Sequence, residues 1–281
     1  MKTAAAWYRK PSYSPNQHRV NDAAIMDAAI VRLEQRGWRI LRLSEAEAEA
    51  GARPEVDCHL NMCQGPRALE ALQLLEHDGA WMINRPSSAL ACHRHRLVRR
   101  LAGSGLDFPE TIILSTSPRA EPEIKQAGWQ QWPSLVWVKR GDVHAERSDD
   151  VVQAPLSDLF DTLRVFAARG IERVAVQPHV PGPVIKFYGV AQSRFFRYYG
   201  ADGGPQAPPP QVDEARLRAL AFGAAECLGL EVFGGDVAVP SPDRPVLIDL
   251  NDWPSFAPFR DEAAHAIAIL VHQSSTIGCV T

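Results

Sequence analysis

The 281-residue chain is 46% hydrophobic and 22% charged with a formal net charge of −3, which fits a soluble globular enzyme with a core of ordinary size and gives no electrostatic reason to expect nucleic acid or an acidic membrane as a partner. Its five cysteines (Cys58, Cys63, Cys92, Cys227 and Cys279) lack a CxxC pair and read as reduced thiols of a cytoplasmic protein, not a disulfide framework. Met1–Tyr8 is too short for a signal-peptide core, and no stretch approaches the roughly 20 apolar residues of a membrane span.

In chain order, Thr3–Tyr8 is expected as a strand and Asn21–Arg36 as a helix. That helix carries Ala24, Ile25, Ala28, Ala29, Val31 and Leu33 on one broad face, with Asn21 or Asp22 at its start and Gly37 at its end. Strands are expected at Trp38–Leu43 and Val56–Met62 around an acidic Ala/Glu segment, then a helix at Arg67–Glu76 and a strand at Trp81–Asn84. Strand and helix alternating over short links predict a parallel sheet, and residues 1–85 form a first α/β domain. Arg9-Lys10-Pro11-Ser12-Tyr13-Ser14-Pro15-Asn16 leaves the first strand at its C-terminal end, where open α/β sheets bind ligands. The plain alternative is a solvated basic loop.

Residues 86–281 form the second unit. A helix is expected at Ser88–Leu101, a strand at Thr111–Leu114, a polar surface excursion at Pro118–Gln131, a strand at Leu135–Lys139 and a helix at Leu156–Arg169. Val174–Gln177 and Val184–Val190 are expected to pair as antiparallel strands across Pro181-Gly182-Pro183. Asp202–Gln211, rich in proline and glycine, predicts a flexible break. A helix at Asp213–Leu228 follows, then strands at Asp236–Val239 and Val246–Leu250 joined by a turn, and a helix at Ala263–His272.

Chemistry concentrates near the C-terminus. Asp249 and Asn251 are two apart on an extended segment and share a face. If Asp236 sits opposite them, three hard oxygen donors converge, a set suited to Mg2+ that bridges nucleotide phosphates. The alternative is that Asp249 and Asn251 only begin a turn before Trp253-Pro254. Lys139 ends its strand and is either a phosphate contact or a solvated terminus. Lys186 lies among apolar residues, a costly place unless it meets an anion, or else it points outward from an alternating strand. Cys58, His59 and Cys63 have no fourth ligand at zinc spacing and read as buried thiols with a chance histidine.

Gly234-Gly235-Asp236-Val237 followed by Ile248-Asp249-Leu250-Asn251-Asp252-Trp253-Pro254 resembles the metal-binding end of the ATP-grasp family. The resemblance implies an ATP-grasp fold of two α+β lobes preceded by a small parallel α/β domain, with Mg-ATP in the cleft between the lobes. It implies Asp236, Asp249 and Asn251 as Mg2+ ligands and Lys139 as a phosphate contact. Arg94 stands on the helix that usually supplies a phosphate-binding lysine, with Arg96 the neighbouring choice. Gln177, His179 and Val180 fall on the strand that meets the adenine, Gln177 replacing the usual Glu. Lys186 takes the place of a basic residue facing the terminal phosphate or the acceptor. Ser255 departs from a frequent glycine, Asp252 is an unusual neighbour suited to supporting the ligands, and Gly141-Asp142-Val143-His144 supplies only one glycine to the expected phosphate flap.

The resemblance extends to glutamate-ligase and glutathione-synthetase-like ligases, which activate a carboxylate with ATP for attack by an amine. The expected acceptor is a small-molecule or peptide carboxylate, with Arg194, Arg197 or Arg260 as its cationic contact, and a homodimer is compatible with this reading. The alternatives are a kinase similar to the inositol polyphosphate 5/6-kinases, which the scattered basic residues of a net acidic chain disfavour, and a nucleotide sensor without turnover, which has no need of three metal ligands.

Overall fold

The computed structural model describes residues 1–13, 19–120, 124, 132–142, 147–193 and 195–277. The first layer is a parallel sheet in the order β2-β1-β3-β4, built from β1 (Thr3–Tyr8), β2 (Arg39–Ser44), β3 (Cys58–Asn61) and β4 (Met82–Ile83). Helix α1 (Arg19–Glu34) covers one face through Ile25, Met26, Ala29, Ile30 and Leu33, whereas Val31 points to solvent. Helix α3 (Pro66–His77) covers the other face through Ala68, Leu69 and Leu72. The acidic Ala/Glu segment is a short helix, α2 (Glu45–Glu49), started by a reciprocal cap between Ser44 and Glu47.

The expected helix over Ser88–Leu101 is two helices, α4 (Pro86–Ala91) and α5 (Arg94–Leu101). His93 takes an extended backbone between them, and this turn re-aims α5 so that Arg94 points inward. Four antiparallel strands follow in the order β5-β8-β6-β7: β5 (Ile112–Ser115), β6 (Leu135–Arg140), β7 (Val151–Pro155) and β8 (Arg173–Pro178). Helix α6 (Leu159–Ala168) packs Leu159, Leu163 and Phe166 against Val136, Val138, Val174 and Val176 of this sheet. The sequence reading missed β7, whose run ends in proline as an edge strand can.

The last sheet runs β10-β9-β11-β12, from β9 (Val184–Val190), β10 (Phe195–Gly200), β11 (Val232–Ser241) and β12 (Arg244–Asp252). Pairing of Val174–Gln177 with Val184–Val190 is therefore overturned, since β8 and β9 belong to different sheets. Prolines in the Pro181-Gly182-Pro183 link lack the N–H a hairpin ladder needs. Gly182 has φ +116, and a Cβ there would stand 2.3 Å from the Val239 carbonyl oxygen, so the link is pressed onto β11 as the chain crosses between sheets. The antiparallel partner of β9 on its free side is β10, an aromatic strand not anticipated from sequence.

Helix α7 (Glu214–Leu228) buries one face of the last sheet together with Leu97 and Leu101 of α5. Helix α8 (Arg260–Ile277) covers part of the other face and also packs on α1, so one core joins Ala4 and Ile30 to Tyr188, Trp253 and Ile267. Asp202–Gln211 contains turns but no helix or strand. Among the described residues no helix is long and apolar enough to cross a membrane.

Candidate active site

Three strands line up charge. In register, Lys186 of β9 faces Asp236 of β11, and Asp236 faces Asp249 of β12. Asn251 faces Gly234, so Asp236, Asp249 and Asn251 occupy neighbouring register positions of one hairpin. Both Asp249 and Asn251 lie inside β12, and the turn alternative does not hold. Close approach explains the glycine beside Asp236, because a Cβ on Gly235 would stand 2.3 Å from the Asp249 carbonyl oxygen. Beyond the strand, Trp253 and Phe256 take left-handed backbone (φ 36 and 49) without glycine. Complete burial of both rings holds that unfavourable conformation.

Each carboxylate of this row meets a cation. Lys186 Nζ stands 2.9 Å from Asp236 Oδ1. Burial opposes the ammonium charge, but the Asp236 carboxylate outweighs it and Lys186 is held above its ordinary pKa. Arg94, only 6% exposed, reaches from α5 to place Nη2 2.8 Å from Asp249 Oδ2. Its Nη1 donates to the Arg140 carbonyl at 3.2 Å, while its fully buried Nε has no acceptor among the described residues.

The opposing sheet supplies a lysine and no acid. Because Val136, Val138, Val174 and Val176 face α6, strand alternation turns Trp137, Lys139, Ala175 and Gln177 the other way. Lys139, 7% exposed, donates to Gln177 Oε1 and to the Ile248 carbonyl of edge strand β12, both at 2.8 Å. It is no solvated terminus. Its pKa is lowered to about 8, chiefly by burial with Arg94 adding to the shift, while Asp249 and Asp236 oppose it. Gln177 Nε2 donates to Thr111 Oγ1 at 3.1 Å, so this carboxamide is spent on positioning Lys139 and β5. Trp137, not singled out in the sequence, donates from Nε1 to His179 Nδ1 at 3.2 Å on this same face. Val180 is half-buried just beyond β8.

The edge of the first layer adds a third wall. Arg9 is buried in a pair with Asp22 at 3.1 Å and donates to the carbonyls of Met62, Asp252 and Trp253. The solvated-loop alternative fails for Arg9, while Lys10 stays half-exposed; Ser14–Asn16 lie outside the described residues. Gln64 Nε2 donates to Asp252 Oδ1 at 2.9 Å, so Asp252 ties the end of β12 to the segment that follows β3. His59 accepts a hydrogen bond from Trp7 Nε1, and burial lowers its pKa to about 4, leaving a neutral histidine. Val143 and His144 of the expected flap, and Arg194, lie outside the described residues. Arg197 is engaged with Glu262, and Arg260 donates to Asn21.

Among the described residues no three His, Cys, Asp or Glu side chains gather as a metal cluster. Two carboxylates and a carboxamide nonetheless suit Mg2+, which takes one or two protein carboxylates and completes its shell with phosphate oxygens and water. The cleft between Lys139, Gln177, Arg94 and Asp249 is packed down to a cavity of about 10 Å3, less than one water occupies.

No family model and no curated sequence matches the chain. Solved structures do. The D-alanine–D-alanine ligase of Bacillus anthracis complexed with ATP superposes with a TM-score of 0.70 at 12% identity, covering 98% of each chain. A RimK domain ATP-grasp protein of Sphaerobacter thermophilus gives 0.67 at 20% identity over 95% of this chain and 99% of its own. The VanG D-Ala:D-Ser ligase of Enterococcus faecalis gives 0.71 at 13% identity over 96% and 98%. The chain has the ATP-grasp fold, in which the two antiparallel sheets are the lobes of the grasp.

Proposed function

We propose that this protein is an ATP-dependent cytoplasmic ligase that activates a carboxylate as an acyl phosphate for attack by an amine. The observation that carries the proposal is the row Lys186–Asp236–Asp249 on one sheet, set across a cleft from a buried lysine on the other. The similar structures with this fold are named as ligases, one of them complexed with ATP. In this proposal residues 1–85 form the first domain and 86–281 the grasp.

Asp236, Asp249 and Asn251 would hold Mg2+, which when bound neutralises phosphate charge and orients the transferred group. Lys139 and Arg94 meet the phosphates, and both must exchange their present acceptors for phosphate oxygens. Electrostatics favours that exchange, because a polyanion offers each cation more charge than a carbonyl or a single carboxylate does. Trp137 and the segment Gln177 to Val180 border the adenine. Lys186 stands beside the ligand row and offsets charge on the phosphoryl group in transit. A carboxylate oxygen takes the γ-phosphoryl group as its bond to the β,γ-bridging oxygen of ATP breaks. The amine nitrogen then attacks the acyl carbon, phosphate leaves, and the nitrogen gives up a proton.

Hydroxylamine distinguishes this chemistry from phosphorylation of a hydroxyl. With ATP and a panel of amino acids and short peptides, a hydroxamate should accumulate in step with ADP. ADP released only with an inositol phosphate, with no hydroxamate, replaces the ligase by a kinase.

A further inference from the structure

A second cationic site lies on the outer side of α5. His95, Arg96, Arg99 and Arg100 of α5, together with Ala91 and with Arg173 at the start of β8, line a groove of about 590 Å3. Arg96, Arg99 and Arg100 are spaced i, i+3 and i+4, so they share one helix face, and like charges at that spacing destabilise a helix. The last turn suits Arg99 and Arg100 electrostatically, but Arg96 stands in the first turn, where the helix dipole opposes a positive charge. None of the four guanidinium groups has an ion pair or side-chain hydrogen bond among the described residues, whereas Arg94, two residues from Arg96, is paired with Asp249. A concave surface with four positive charges that no described residue pairs, in a chain of net charge −3, suits an anion.

The groove is distinct from the ATP cleft. Arg94, Leu97 and Val98 line the cleft side of α5, and the outward arginines line the other. The site also touches the base of the expected flap. The His95 backbone N–H donates to the Gly141 carbonyl, and its Nδ1 stands 2.8 Å from the same oxygen. Burial lowers the His95 pKa and Arg96, Arg173 and Arg99 add to the effect, although the Gly141 contact opposes it. His95 is therefore a neutral anchor for that strand end, and the positive charge comes from the arginines. No Phe, Tyr or Trp lines the groove among the described residues. The large aromatic platforms on which single-stranded nucleic acid stacks are thus missing among the described lining residues.

We infer that the groove between the outer face of α5 and Arg173 binds a compact polyanion carrying two or more phosphate groups, with Arg96, Arg99, Arg100 and Arg173 as its contacts. Inorganic tripolyphosphate is the probe, titrated calorimetrically in magnesium-free buffer into the full chain, the Arg99→Ala/Arg173→Ala double variant and Lys139→Ala. These arginines are exposed, so the double variant should keep the unfolding midpoint of the parent. Of the two sites that a polyphosphate can enter, the groove should lose affinity at least tenfold in the double variant, and only the cleft should lose affinity in Lys139→Ala. Loss in Lys139→Ala with none in the arginine variant would assign the anion to the ATP cleft and overturn the inference. So would absence of binding to the parent chain, or arginine-dependent binding of a short RNA or a polyglutamate peptide more tightly than tripolyphosphate.

Discussion

Lys139 and Lys186 stand on different sheets, and the two sheets treat their charges in opposite ways. On the first sheet Lys139 is nearly inaccessible and bonds to neutral oxygens of Gln177 and Ile248, so burial prevails and its pKa falls to about 8. On the second, Lys186 is more open and meets a carboxylate, and its pKa rises. A neutral acceptor satisfies hydrogen-bonding geometry but returns little of the solvation an ammonium loses, whereas a carboxylate returns much more. Lys139 thus has the most to gain when a polyanion arrives, and Lys186 serves as a standing counter-charge.

Removing the carboxylate that both sides share breaks this contrast most severely. Asp249→Asn should lower turnover by roughly 10²–10³-fold, the usual cost of losing one electrostatic stabiliser. It also leaves Arg94 buried without its partner, which should reduce stability by about 3 kcal/mol. Steady-state ADP release and denaturant unfolding measure the two effects, and full activity in Asp249→Asn removes it from the site.

Lys139→Ala comes next. Loss of a charge-assisted phosphate contact should weaken binding of a non-hydrolysable ATP analogue by roughly 10- to 100-fold, or about 1.5–3 kcal/mol. Unchanged affinity by calorimetry would return Lys139 to a purely structural role.

The pKa contrast itself makes a third prediction. Lys139 carries its charge below about pH 8 and loses it above, and a polyanion binds the charged form. ATP-analogue affinity should therefore decline as pH rises through about 8, several-fold between pH 7 and 9. Lys186, shifted upward, should contribute no decline in that window. The step should survive in Lys186→Ala and disappear in Lys139→Ala, and a step lost only from Lys186→Ala would reverse the assignment.

The smallest effect concerns stability. With side chains 43% and 26% exposed, the Lys186–Asp236 pair should contribute less than about 1 kcal/mol. Lys186→Ala should accordingly move the unfolding free energy by no more than that while still impairing turnover.

Much of this arrangement is present in the sequence as pattern. Period-two alternation puts Asp249 and Asn251 on one face, the turn between Asp236–Val239 and Val246–Leu250 makes hairpin partners, and helix-terminal glycines bound the main helices. Local rules act over a few residues, so they place a side chain on a face without saying what that face meets. The decisive contacts are long-range. Arg94 meets Asp249 across 155 positions, Lys139 meets Ile248 across 109, and Arg9 meets Trp253 across 244. Burial and charge pairing, which turn Lys139 into a low-pKa lysine and Arg9 from a loop cation into a brace between the first and last sheets, arise only when three sheets pack together. The separation of β8 from β9 belongs to the same class, because their apolar patterns are compatible with pairing and only the crossing at Gly182, pressed onto β11, sends them to opposite lobes. Sequence determined which residues carry the chemistry and on which strand faces; packing decided which charges meet, and hence their protonation.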